Sequence, residues 1–340
     1  MSAEQIGFGI VGCGSIAPSH LQAIEQTQDA RLVALCDIIP EKAEKLAQGR
    51  AVTIYADYAE MLQDPAVEAV CICTPSGLHG EMAIAAARAG KHVLSEKPMD
   101  VKVAKAREMI RVCRDAGVKL AVIFQRRTHP ATQRIRQAVQ EGELGRMFLG
   151  DAYLKYYRDQ AYYDSGDWRG TWELDGGALM NQGVHCIDQL QWIMGPVERV
   201  VGKVAHLARD IEAEDVGLAV LNFRSGAMGV LEGTTLVNPS FGNRLEFHGE
   251  RGSIAWDEGI ARWVVNGEDL TEKVRAEVEA RMPEVSGHTL QVRDLVEAII
   301  TDRKPLVSGE EGLHAVEIVN AVYESSRTDR PVELPSPNSR

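Results

Sequence analysis

The apolar run Ile6-Gly7-Phe8-Gly9-Ile10-Val11 leads straight into Gly12-Cys13-Gly14-Ser15-Ile16-Ala17, and a helical pattern follows. Strand, glycine turn and helix in immediate succession leave few folds open. In this GxGxxA pattern the first glycine permits a tight turn and the second lets backbone approach a pyrophosphate. The small third residue lets helix and strand pack closely. A glycine turn alone is compatible with nothing more than a turn. The added weight comes from a second apolar run that ends in Asp37, 23 residues past Gly14, near the ~20 expected for the acid that takes the ribose hydroxyls of NAD. Gly12, Gly14, Ser15, Ile16 and Asp37 are therefore expected at a dinucleotide. A 2′-phosphate beside Asp37 would meet like charge, and Ile38 and Ile39 supply no cation, so NAD is expected rather than NADP.

The alternation continues. Strands are expected near Ile6 to Val11, Arg31 to Cys36, Ala69 to Thr74, His92 to Ser95 and Lys119 to Ile123, with helical patterns between them, as in βαβ units and a doubly wound parallel sheet. After Phe124 the texture changes to a basic helix around Pro130 to Gln140. Strands follow near Met147 to Tyr157, Val197 to His206, Asp215 to Phe223, Met228 to Thr235 and Asn243 to His248, then helices at Leu290 to Ile300 and Gly312 to Ser325. Runs of strands with little helix between them predict an α+β domain with a mostly antiparallel sheet. The 340 residues thus divide into an α/β domain at 1–124, an α+β domain at 125–334 and a tail at 335–340.

A net charge of −12 repels polyanions, which disfavours nucleic acid and anionic membrane surfaces as partners. No apolar run approaches the ~18 residues of a membrane span, and no basic segment followed by an apolar one opens the chain, so a cytoplasmic location is expected. Cys13, Cys36, Cys71, Cys73, Cys113 and Cys186 lie mostly in apolar runs and are expected to be reduced and buried. Cys71-Ile72-Cys73 lacks zinc-knuckle spacing, and no metal is expected.

Ligands on open α/β sheets bind beyond the carboxyl ends of the strands. Thr74, Pro75, Ser76 and His79 follow the third expected strand, and Glu96 and Lys97 follow the fourth. Pro98 holds Lys97 away from helical backbone; the alternative for an arbitrary lysine is a solvated surface position. GCGSIA, TPSGLH and Glu96-Lys97-Pro98, in this order and spacing, resemble the Gfo/Idh/MocA sugar and cyclitol dehydrogenases, and the stretch from Asp175 through Gly183 and His185 to Asp188 is similar to that family's second-domain catalytic helix. The resemblance implies a Rossmann domain followed by a substrate domain with a large open-faced sheet, often used to build dimers and tetramers. It also implies acid/base roles for Lys97 and His185, with Asn181 alongside.

Asn181 and His185 share a helix face at a spacing of four. Many family members carry an aspartate at the position of Asn181. Asparagine orients an imidazole but cannot neutralise an imidazolium, which leaves Lys97 a larger share; His185 as a packed helix histidine is the other reading. Tyr162-Tyr163-Asp164, Trp168 to Glu173 and GGALMNQ resemble the branch that includes UDP-N-acetylglucosaminuronate 3-dehydrogenases of the WlbA/WbpB type. The aromatics crowded between Tyr153 and Trp172 suit sugar and nicotinamide rings, and equally an oligomer contact. Lys97, Arg126, Arg127, Arg158 and Arg169 form a local basic group within an acidic chain. Cofactor contacts are extended to Gln125, Trp168 and Arg169, and substrate contacts are assigned to Arg127, Tyr156, Arg158, Tyr163, Asn181, Gln182 and His185. The expected activity is NAD-dependent oxidation of a secondary alcohol, at C3 of a pyranose or UDP-linked sugar acid, by a homo-oligomer. An inositol or simple sugar dehydrogenase, and a non-catalytic NAD-binding sensor, remain as alternatives.

Overall fold

The computed structural model describes residues 5–336, which divide into two compact units, residues 5–125 with 283–313 and residues 126–282 with 314–336. The first unit opens with β1 (Ile6–Val11), all six residues of which are buried, as a strand covered on both faces requires. It continues through α1 (Ala17–Glu25), β2 (Ala30–Cys36), α2 (Pro40–Ala47), β3 (Thr53–Tyr55), α3 (Tyr58–Gln63), β4 (Ala69–Ile72), α4 (His79–Arg88), β5 (His92–Ser95), α5 (Val103–Asp115) and β6 (Leu120–Val122). The strands pair in parallel in the order β3-β2-β1-β4-β5-β6. The order reverses between β1 and β4, so the loops beyond those strands diverge and open a crevice. β3 escaped the sequence reading because it is three residues long, half-exposed and at the sheet edge.

The chain passes from the first unit into the second within a 3₁₀ turn, Gln125–Thr128. α6 (Pro130–Gln140), β7 (Met147–Lys155) and α7 (Gln160–Asp164) follow, then a π-helical turn, Ala178–Gly183, that runs into α8 (Val184–Met194). β8 (Val197–Ala205), β9 (Val216–Phe223), β10 (Met228–Thr234), β11 (Gly242–Gly249), β12 (Gly252–Trp256), β13 (Ile260–Val265), β14 (Glu268–Asp269) and α9 (Thr271–Glu279) come next. Then the chain returns to the first unit as α10 (Gly287–Ile300), and α11 (Gly309–Thr328) and β15 (Val332–Glu333) close it. The nine strands are ordered β14-β13-β12-β11-β7-β10-β9-β8-β15. Only β7 and β10 pair in parallel. Residues of β9 and β10 alternate between buried and exposed. Ala219, Leu221 and Leu231 face the helices, and Leu218, Val220, Met228 and Val230 are exposed on the opposite, open face.

Two features of this division differ from expectation. Residues 283–313, expected in the second domain, belong to the first unit, where Val292, Leu295 and Val296 of α10 share a core with Leu21 and Ile24 of α1 and Ile123. That partnership is made by packing, and no local sequence signal reports it. The hairpin β12–β13 and helix α9 also went unread. Of the expected tail 335–340, residues 337–340 lie outside the described residues. All six cysteines are buried and unpaired, and no described helix is long and apolar enough to cross a membrane.

Candidate active site

In the first unit, β1, β4 and β5 lie in register, Val11 beside Ile72 and Ile72 beside Ser95. Their carboxyl ends therefore bring Gly12, Cys73 and Glu96 into one row, with Thr74 next beyond it. Gly12 has φ +86°, and a Cβ there would lie 2.8 Å from the backbone of Cys73 and Thr74, so no other residue fits the turn. At Gly14 a Cβ would meet nothing within 4 Å. This leaves exposed backbone at the amino terminus of α1, whose first turn has no side-chain cap and no acidic residue. Exposed backbone at Gly14 and Ser15, just ahead of a helix amino terminus, suits a diphosphate.

Asp37 is 8% exposed. Its two carboxylate oxygens accept from the Cys13 amide (2.8 Å) and the Ile39 amide (2.9 Å), which fixes it at the edge of the glycine turn with further lone pairs available for ribose hydroxyls. Ile38, next in the chain, is 88% exposed, an apolar surface beside the place where an adenosine would sit. The turn, the open helix terminus and the carboxylate together fit NAD.

The loops after β4 and β5 are joined by His79. Expected to meet the cofactor, it is instead 1% exposed, with ring nitrogens facing the carbonyl oxygens of Thr74 (2.8 Å) and Pro98 (2.7 Å). Burial lowers its pKa, and a neutral imidazole donates to only one of the two. Glu96 also turns inward. Its carboxylate accepts from His20 Nε2 (2.9 Å) and His288 Nε2 (3.3 Å), and neither histidine was singled out from the sequence. Ser76 is buried, Thr74, Pro75, Lys97 and Gln125 are half-buried, and the Lys97–Pro98 peptide is cis.

In the second unit, two residues expected to touch substrate do structural work instead. Arg127 makes a two-pronged ion pair with Asp188, Nε to Oδ2 at 2.9 Å and Nη2 to Oδ1 at 2.6 Å. Tyr163 is 6% exposed and its hydroxyl bonds Thr235 Oγ1 at 2.9 Å.

The remaining residues form one connected network. Arg158 Nη2 donates to Gln182 Oε1 (3.3 Å), and Gln182 Nε2 donates to the Tyr162 hydroxyl (3.0 Å) and to Asn181 Oδ1 (2.9 Å). Arg169 Nη1 donates to the same Tyr162 hydroxyl (2.9 Å). Both guanidinium groups stack over the Tyr162 ring, at 5.0 Å for Arg158 and 4.4 Å for Arg169, and Arg169 also lies 4.4 Å from Trp168. With the Asn243 amide oriented to satisfy its neighbours, its oxygen accepts from the Tyr156 hydroxyl (2.5 Å) and Arg126 (2.6 Å). The sequence offered no acid at position 181. The fold supplies one at Asp175, buried at 1% exposure, which accepts from the Asn181 amide and from the Gly170 backbone (2.8 Å).

A π-helical turn, commonly found at functional sites, carries Asn181 and Gln182. Glu214 braces its start, accepting from the Leu179 amide (2.9 Å) and the Tyr323 hydroxyl (2.9 Å). Burial pushes the Glu214 carboxyl up to about 7.

Comparison with known proteins bears on the fold and the family. Residues 6–124 match the oxidoreductase family model GFO_IDH_MocA, NAD-binding Rossmann fold, and residues 136–334 match its C-terminal alpha/beta domain. A solved structure of the WlbA dehydrogenase from Bordetella pertussis, in complex with NADH and UDP-GlcNAcA, is 35% identical over 99% of both chains with a TM-score of 0.92. An uncharacterized oxidoreductase, YrbE of Bacillus subtilis, is 30% identical over 97% of both chains. The myo-inositol 2-dehydrogenase of Thermotoga maritima is 28% identical over 96% of this chain and 98% of its own.

Proposed function

The chain belongs to the Gfo/Idh/MocA oxidoreductase family, and on that premise we propose that this NAD-binding enzyme oxidises the C3 hydroxyl of a UDP-linked sugar acid. The observation that carries the substrate class is the pair Arg158 and Arg169. Among the described residues neither guanidinium has a carboxylate ion-pair partner, yet both are fixed on one tyrosine and wired to the turn that bears Asn181. Fixed guanidinium groups beside aromatic faces suit an anionic sugar. The likeness to a dehydrogenase solved with NADH and UDP-GlcNAcA supports the same class.

When bound at the glycine turn and Asp37, NAD supplies the acceptor for the hydride. Lys97 takes the hydroxyl proton as general base. His185 hydrogen-bonds the same hydroxyl or relays its proton, and Asn181 sets the orientation of this group. Asp175 fixes the Asn181 amide from behind, so a buried acidic side chain stands one hydrogen bond from the asparagine. Arg158, Gln182 and Tyr156 bind the anionic substrate, and Trp168, Arg169, Thr74, Pro75 and Gln125 line the cofactor. The six buried thiols fit a reducing cytoplasm. The exposed apolar residues of the open sheet face are assigned to contact with a second copy, and light scattering reporting a monomer would remove that assignment.

The test is NADH formation with UDP-GlcNAcA, inositols and free sugars. Saturable turnover of UDP-GlcNAcA is expected, and Arg158→Met should raise its KM about tenfold with little change in kcat. Turnover of inositols with UDP-GlcNAcA inert would favour the cyclitol alternative, and NAD binding without turnover of any substrate would favour a sensor. Lys97→Ala that binds NAD and still turns over would refute the role given to Lys97.

A further inference from the structure

We infer that Glu96, held between His20 and His288, is a positioning residue that orients Lys97 and places a fixed negative charge behind it. This rests on the acid/base role proposed above for Lys97. The three side chains come from separate elements, the end of β5, helix α1 and the first turn of α10, and they are 0%, 6% and 9% exposed for His20, Glu96 and His288. Both imidazole Nε2 atoms converge on one carboxylate oxygen, Oε1, and the other oxygen, Oε2, accepts from the Lys97 backbone amide at 3.2 Å. The two rings stand edge to face at 5.3 Å. Thus the carboxylate grips the catalytic lysine by its main chain and is itself gripped from two helices.

A buried carboxylate is costly unless its lone pairs are filled. Here three N–H groups fill them. Although burial alone would raise it, hydrogen bonds from His20 and His288 and the charge of Lys97 hold the Glu96 carboxyl well below the usual range, so it is an anion at neutral pH. The other titratable groups that sense it within this unit are His79 of α4 and the thiols of Cys71 and Cys73, which burial keeps protonated. Lys97 and the imidazoles are therefore the charges available to answer it. An anion adjacent to a lysine favours the ammonium form, and a glutamine of the same shape would still accept from the Lys97 amide, with the imidazoles changing tautomer to accept from its NH2, but would lose that effect.

The experiment is the pH profile of kcat/KM for alcohol oxidation by the full chain, which rises as Lys97 loses its proton. Glu96→Gln should shift the rising limb down by about one pH unit, and Glu96→Asp, which keeps the charge, should leave it near the wild-type position. His288→Leu, which removes one of the two imidazole hydrogen bonds that hold the Glu96 carboxyl ionised, should shift the limb in the same downward direction by less. This provides an independent reading if Glu96→Gln fails to fold. A role confined to stability would lower melting temperature or kcat without moving the limb, and an unmoved limb in the folded variants overturns the inference. Lys97→Ala separates the two ideas. If it abolishes turnover while Glu96→Gln leaves the limb unmoved, the charge behind Lys97 is refuted and its acid/base role stands. If it retains turnover and the limb, the role of Lys97 fails.

Discussion

Replacing Arg127 with methionine distinguishes a substrate contact from a structural pair. Its guanidinium meets Asp188 in two bonds, with side-chain exposures of 3% and 1%, and it stacks 5.1 Å from Trp192. Methionine keeps the apolar stem but strands a buried carboxylate, which costs about 3–5 kcal/mol. The lost ring contact adds about 1 kcal/mol. At roughly 2–4 °C per kcal/mol for a unit of this size, Arg127→Met should lower the melting temperature by about 15 °C. The double variant Arg127→Met/Asp188→Leu should recover most of that loss, because neither charge then lacks a partner. Thermal denaturation of the wild type, both single variants and the double variant measures the coupling, and steady-state kinetics below the transition measures KM. The reasoning predicts a large coupling and an unchanged KM. A melting temperature within about 2 °C of wild type together with a KM raised about tenfold would refute it and return Arg127 to the substrate.

Asp37→Asn should cut the preference for NADH over NADPH about tenfold, since the repulsion of a 2′-phosphate is removed while an acceptor oxygen remains; competition titration followed by NADH fluorescence measures it, and an unchanged ratio counts against the role of the charge. Gly12→Ala places a methyl 2.8 Å from the Cys73 and Thr74 backbone at φ +86°. It should therefore weaken NADH binding by more than about tenfold, with about 1–2 kcal/mol of strain lost from stability. Glu214 gives a pH dependence with a definite sign. Its folded pKa, about 7, lies above its unfolded value, so the folded state binds the extra proton. Stability from this group is therefore lost as pH rises from about 4.5 to 7, by on the order of 3 kcal/mol. Glu214→Gln should flatten that decline in melting temperature measured from pH 5 to 8, and a parallel decline in both proteins would contradict the assignment.

The first unit was largely legible because its signals are local. A strand, a glycine turn and an acid at the end of the next strand follow one another within 40 residues, and each has a backbone reason. β3 lacked a signal, being short and exposed. The β12–β13 hairpin has a turn signal in Asp257-Glu258-Gly259, but its first strand, Gly252–Trp256, carries a single β-branched residue. In the site, Gly12, Gly14 and Asp37 could be read because their chemistry depends on sequence neighbours. Arg127 and Asp188, 61 residues apart, and Glu96 and His288, 192 apart, could not, since residue type says nothing about which partner the fold supplies. Asp175 shows the same limit. It opens the stretch that resembles the catalytic helix, six residues before Asn181, but nothing in that stretch reports that the bend through Gly176 and Gly177 brings it back to the amide.

The return of α10 to the first core has a consequence for synthesis on the ribosome. Leu21 and Ile24 emerge early, but the residues that cover them, Val292, Leu295 and Val296, come after the whole of the segment 126–282. At ~5–20 residues per second, the wait from residue 125 to residue 313 is about 10–40 s. During that interval the cofactor-binding half of the nascent protein carries an uncovered apolar face, the kind of surface that makes a folding intermediate prone to aggregate. Its final consolidation follows, rather than precedes, translation of most of the other half.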